Sequence, residues 1–183
     1  MKRIVTILLL ISSAVALYLR PVVSRSGGTE TVTCTPTAPT INFGSYDVLG
    51  GANLDGTGSF TVTCTRSNGT GGSTSFTYTA KLLDNTATRQ LAPTLGADRI
   101  SYQLYTNSAR TSSFVWGDGT SGTTTFTGSL SLPNNGSATS SPAFNFYGRI
   151  TGGQDVSAAA PAPPSTYSQM LTITVTCTPS PPC

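Results

Sequence analysis

Four cysteines, seven carboxylates and ten cationic side chains are what this 183-residue chain offers for chemistry, and it has no histidine. The missing imidazole removes the commonest general base and the commonest metal ligand. Asp98 and Asp118 would form an acid pair for glycoside cleavage only if folding happened to join them, and nothing around either points to that. Trp116-Gly117-Asp118-Gly119-Thr120 holds an indole that could stack on a sugar and a carboxylate that could ligate calcium. Asp-Gly between apolar segments is, however, first a hairpin turn. Asn53-Leu54-Asp55-Gly56 lacks the further carboxylates of a calcium loop. No enzyme activity, cofactor or small-molecule substrate is expected.

The cysteines, Cys34, Cys64, Cys177 and Cys183, allow three pairings, and without a Cys-x-x-Cys spacing or a histidine a zinc site is not expected. Cys34 and Cys64 each sit in a Thr-Val-Thr-Cys-Thr segment. Matching positions on neighbouring strands could face each other, which makes this the preferred bridge. Closing a loop of that length adds roughly 3–4 kcal/mol by chain entropy. Cys177 with Cys183 would make a small ring around Pro179, Pro181 and Pro182.

Bridges need an oxidising compartment, and the amino terminus supplies the route. Lys2-Arg3, an apolar run from Ile4 to Ile11, and Ser12-Ser13-Ala14-Val15-Ala16 read as a secretory signal over residues 1–16, extending at most to 26. Four of the ten bases, Lys2, Arg3, Arg20 and Arg25, lie in the first 26 residues, and the remainder sets six bases against seven acids. Such a balance offers no basic surface to a nucleic acid.

These groups must be carried on strands. Charged residues make up only 9% of the chain, against 32 Thr and 23 Ser, so its polar surface is made of hydroxyls on a β-branched, strand-favouring background. Alternation with period two recurs between turns. It runs through Phe60, Val62 and Cys64; through Phe76, Tyr78, Ala80 and Leu82; through Ile100, Tyr102 and Leu104; and through Phe126 to Leu132 and Phe144 to Ile150. A last segment sets Tyr167, Leu171, Ile173, Val175 and Cys177 against Thr172, Thr174 and Thr176. With Val32 to Thr35 and Thr40 to Phe43 in front, seven or eight strands predict an all-β antiparallel, immunoglobulin-like sandwich in one domain. Ala158 to Pro164 reads as an extended loop. The apolar final strand has only a proline-rich tail after it, so its side is predicted to stay open to water unless another chain supplies a strand.

Several motifs resemble one family in order and spacing. They are Cys34 with Ile41-Asn42-Phe43-Gly44-Ser45-Tyr46, Phe60 to Cys64, Ile100-Ser101-Tyr102-Gln103-Leu104-Tyr105, Trp116 to Thr120, Phe146-Tyr147-Gly148-Arg149-Ile150 with Gln154, and Tyr167-Ser168-Gln169. Together they resemble the spore coat protein U domain, which also builds Csu-type archaic chaperone–usher pilins. The resemblance implies a domain over 34–183, incomplete on its own, held by a periplasmic chaperone, passed through an outer-membrane usher and completed by a strand from a neighbouring subunit at the cell surface. By the same analogy the acceptor groove is lined by Leu171, Ile173 and Val175, with Val32, Ile41 and Phe43 opposite. Residues 17–33 would be the candidate donor strand, through Leu17, Leu19 and Val23, although Pro21 interrupts their alternation and cannot donate a hydrogen bond. The alternative is a solitary secreted sandwich binding carbohydrate or surfaces through Trp116 and exposed tyrosines.

Overall fold

An apolar residue at every second position makes a strand wherever the chain can bury one face, and the computed structural model is strand along most of its length. It describes residues 30–69, 71–83, 89–93, 97–139, 143–156 and 166–178, together with the backbone of residues 4–10. The strands in the first half are β1 (Ile4–Leu10), β2 (Thr31–Pro36), β3 (Thr40–Asp47), β4 (Leu54–Phe60), β5 (Val62–Ser67), β6 (Thr74–Leu82) and β7 (Arg89–Pro93). They continue as β8 (Ile100–Tyr105), β9 (Phe126–Leu132), β10 (Ser137–Thr139), β11 (Phe144–Ile150), β12 (Tyr167–Ser168) and β13 (Ile173–Thr178). Among the described residues the one helical element is the 3-10 turn Ser112–Phe114, and no helix is long and apolar enough to cross a membrane.

One sheet has the order β3-β1-β12-β7-β8-β11-β4, and two three-stranded sheets, β10-β5-β2 and β13-β6-β9, complete the sandwich. The ladders are antiparallel except for β1 beside β12. The sequence predicts fewer, longer strands because some runs change sheet without losing their alternation. Phe60 ends β4 and Val62 begins β5, yet Phe60, Val62 and Cys64 are all buried, since both sheets turn their inner faces to one core. The final segment does the same, leaving the large sheet after Ser168 and pairing with β6 from Ile173 onward.

Aromatic rings fill the centre of that core. Trp116 is fully buried, stacked within 5° of parallel on Phe60 at 5.3 Å and met edge-on by Phe126 at 5.0 Å. Its indole N–H donates to the Ala80 carbonyl at 3.4 Å, which satisfies the polar end of an otherwise apolar side chain. Glycines let β3 approach β4 and β11. A Cβ at Gly148 would stand 2.4 Å from the Phe43 ring and 2.6 Å from Ile41, and one at Gly58 would stand 2.7 Å from the Thr40 carbonyl oxygen. Strand glycines commonly mark such a close approach by another segment.

Outward positions on the smaller sheets are hydroxyls in register. Thr35, Thr63 and Thr139 form one row across β2, β5 and β10, and Thr33, Thr65 and Ser137 form the next. The Thr63–Thr139 and Thr65–Ser137 hydroxyls are each hydrogen-bonded at 2.8 Å.

Candidate functional site

Between β3 and β12 the large sheet has one strand position, and its occupant comes from the amino-terminal end of the chain. β3 forms one edge of it. Ile41, Phe43 and Tyr46 are buried, and the phase slips between Phe43 and Tyr46 because Gly44 takes a φ of +78°, with its N–H accepted by Asn42 Oδ1 at 2.8 Å. β12 forms the other edge, paired through Tyr167 and Ser168 to Pro93 and Ala92 of β7. One strand fits between, and β1 stands there.

β1 pairs antiparallel with β3 from Ile4 opposite Asp47 to Leu10 opposite Thr40, and the register shifts between Ile7 and Leu8. On its other side Ile7 pairs parallel with Tyr167. Both edges are held from behind by polar contacts to β8. The Tyr46 hydroxyl donates to Thr151 O at 3.1 Å and accepts from Gln154 N–H at 2.8 Å. The Gln154 amide in turn clasps the Ser101 backbone, accepting at 2.6 Å and donating at 2.7 Å. On the other edge the Tyr102 hydroxyl donates to Gln169 Oε1 at 2.8 Å, one residue beyond β12. Tyr167 is fully buried beside β1, and its hydroxyl has no hydrogen-bond partner among the described residues. Burial pushes its pKa up, with Asp98 adding to the effect, so the phenol stays neutral. The slot thus offers a full row of backbone donors and acceptors along β3, one pairing position at Tyr167 on the other side, and the buried side chains of Ile41, Phe43 and Tyr167. Its chemistry is strand pairing.

Of the groove residues read from the sequence, Ile41 and Phe43 lie on a slot edge. Leu171 is buried just past the other edge. The final segment reaches the slot through Tyr167 and Ser168 rather than through Leu171 to Val175, because it changes sheet between the two stretches. Ile173 and Val175 pair with Leu82 and Ala80 of β6, and Val32 lies on β2, so these three belong to the smaller sheets. Leu17, Leu19 and Val23 lie outside the described residues. Sequence reasoning took Ile4 to Ile11 for the apolar centre of a leader and missed its strand. A seven-residue apolar run is the right length for a buried strand, and periodicity alone does not separate the two. The glycines facing β3 were also missed, though glycine inside a strand pattern is itself a signal of close packing.

Cys34 and Cys64 face each other in the β2–β5 ladder and are joined by a disulfide, with Cα atoms 4.0 Å apart. Cys177 Sγ lies 3.1 Å from Cys34 Sγ. It occupies a third Thr-Val-Thr-Cys-Thr segment, residues 174–178, so three copies of one pentapeptide bring their sulfurs within 4.8 Å of one another. Cys34 and Cys64 are spent in their bridge, and Cys177 is itself disulfide-bonded, so none of the three has a thiolate to offer a metal. Cys183, and with it the Cys177–Cys183 ring, lies outside the described residues.

Trp116 is not the exposed platform that the carbohydrate reading needs. It is entirely enclosed by Phe60, Phe126 and Phe146, because the residues after it fold back so that Gly117 N–H bonds the Thr124 carbonyl. Asp118 turns back on its own loop, accepting from the Thr120 N–H and hydroxyl at 2.8 Å each, and these bonds lower its pKa.

A family model for the Spore Coat Protein U domain matches residues 23–176, from before β2 into β13. The chain belongs to the spore coat protein U domain family. That family consists of pilin-like structural subunits rather than enzymes. No curated protein matches the chain. In this spore coat protein U domain Tyr46, Tyr102, Gln154, Tyr167 and Gln169 form or brace the two sides of the slot.

Proposed function

We propose that this spore coat protein U domain is an exported subunit of a surface fibre or coat that joins its neighbours by accepting a strand from one of them. The observation that carries the reading is the slot between β3 and β12, one strand wide, with a row of backbone to pair along β3 and a further pairing position at Tyr167. In this reading the subunit leaves the cell through the periplasm. A chaperone holds the slot on the way, an usher passes the subunit outward, and a neighbouring subunit then fills it. Ile41 and Phe43 line one edge, Leu171 lies near the other, and Val32, Ile173 and Val175 belong to the layer beneath. Of residues 17–33, Thr31 to Thr33 are already paired with β5 in the subunit's own fold, so the segment proposed for donation to the next subunit shortens to the residues before them.

Each large apolar side chain covered by an inserted strand contributes about 1.5–3 kcal/mol, enough for a handful to decide between a stable subunit and an unstable one. The test compares Ile41→Asp, on the slot edge β3, with Asn42→Asp, on the exposed face of the same strand, for surface polymer and for soluble periplasmic protein. The Ile41 variant is expected to lose polymer while the Asn42 variant keeps it. Strand acceptance is wrong if the Ile41 variant assembles normally, or if the exported wild-type chain, freed of residues 1–16, is a monomer with a cooperative unfolding transition.

A further inference from the structure

We infer that the first occupant of the slot is the chain's own segment Ile4–Leu10, so that the unprocessed chain is a self-completed monomer and loss of that segment opens the slot to another chain. The inference rests on the strand-acceptor reading and adds to it an occupant, a direction and an order of events.

The ladder carries the argument. Ile4–Leu10 pairs along almost the whole of β3, seven residues against Thr40–Asp47, and touches β12 through Ile7 and Tyr167. Among the described residues it stands in the strand order between β3 and the β12-β7-β8-β11-β4 block. The segment is uncharged and apolar but for Thr6, a composition that suits an interior rather than an edge strand. It also enters with a defined polarity, antiparallel to β3 and parallel to β12. Being covalently attached, it acts at an effective concentration of about 1 mM, so a free strand at ~10 μM competes at a disadvantage of roughly 100-fold. The residues that open the way out of the cell would therefore also cap the slot until they are removed, and assembly would begin only after processing.

The experiment uses the full chain, 1–183, made oxidised in a membrane-free cell-free system so that the leader is retained, alongside the variant Ile7→Pro. Proline at position 7 removes a backbone N–H at the residue that pairs with both edges. Two quantities are read: hydrogen-exchange protection of amides 4–10 and 41–47, and binding of a fluorescent peptide with the sequence of residues 4–10. Protected amides in both segments of the wild type are expected. Peptide binding is expected to be at least about tenfold weaker to the wild type than to Ile7→Pro. Unprotected amides at 4–10 in the wild type overturn the inference whatever the variant does, including a variant that fails to fold. If the wild type binds the peptide as well as the variant does, the self-capping is wrong and the slot stands. If neither binds it, and 41–47 stay protected in the variant, the inference and the slot both fall.

Discussion

Replacing Gly58 by alanine should loosen the strand that forms one edge of the slot. A Cβ there would sit 2.2 Å from Phe146 Cζ and 2.7 Å from the Thr40 carbonyl oxygen, where ordinary contact begins at 3.4 Å. The Phe146 ring has little freedom to swing aside, since Trp116 lies against it at 5.3 Å and Phe60 at 6.4 Å. The carbonyl cannot retreat without β3 moving by about 0.7 Å, the difference between the two distances. Overpacking of this kind costs about 1–3 kcal/mol, and with both neighbours fixed the upper half of that range is expected. At a urea m-value near 2 kcal/mol/M the midpoint falls by about 1–1.5 M, with the slope unchanged. Gly51→Ala is the control, because nothing lies within 4 Å of its Cβ position; it should stay within about 0.5 kcal/mol. Equal midpoints for the two variants would show that β3 does not lie on β4 as described, and the slot would lose an edge.

Removing the disulfide as Cys34→Ala with Cys64→Ala should cost about 3.6 kcal/mol for a 30-residue separation, read as a shift in the denaturation midpoint. Peptide mapping without reduction should return a Cys34–Cys64 fragment. Trp116, the chain's one tryptophan, should emit at short wavelength and resist acrylamide quenching, and Trp116→Ala should cost about 3–5 kcal/mol. Asp55 is held below the ordinary carboxylate value of 3.8 by its two bonds from Arg149, at 2.7 and 2.8 Å, with Arg110 adding at 3.4 Å. Its contribution is therefore present above the unfolded pKa and lost as pH falls through the folded one. Asp55→Asn should flatten that part of the acid limb in a pH series of unfolding midpoints, by a small amount because the pair is partly exposed.

The alternation at Phe76 to Leu82 and at Ile100 to Tyr105 could be read from sequence because each strand buries one face against a single core, so period two survives intact. The same rule hid the changes of sheet at Thr61 and after Ser168. Inner faces of both sheets look at one interior, so the pattern runs on while the hydrogen-bonding partners change. Arg89–Pro93 went unread because its short run, with an arginine at one end and a proline at the other, does not look like a strand. Its Arg89 is nonetheless buried, donating to Gln103 Oε1 and to the Trp116 carbonyl at 2.7 Å. The sequence reading puts an open side along the whole final strand, whereas that segment borders the position between β3 and β12 only through Tyr167 and Ser168. The slot's true edges depended on where that strand breaks, and only the pairing of Ile173 with Leu82 settles that.

The rows of threonine and serine across β2, β5 and β10 carry no charge at any outward position. Salt acts on a protein surface largely by screening its ions, and acidity acts by changing their number. A face built of hydroxyls gives neither anything to work on. Whatever that face touches, it should touch as firmly in brine as in fresh water, and two copies of it can meet without mutual repulsion.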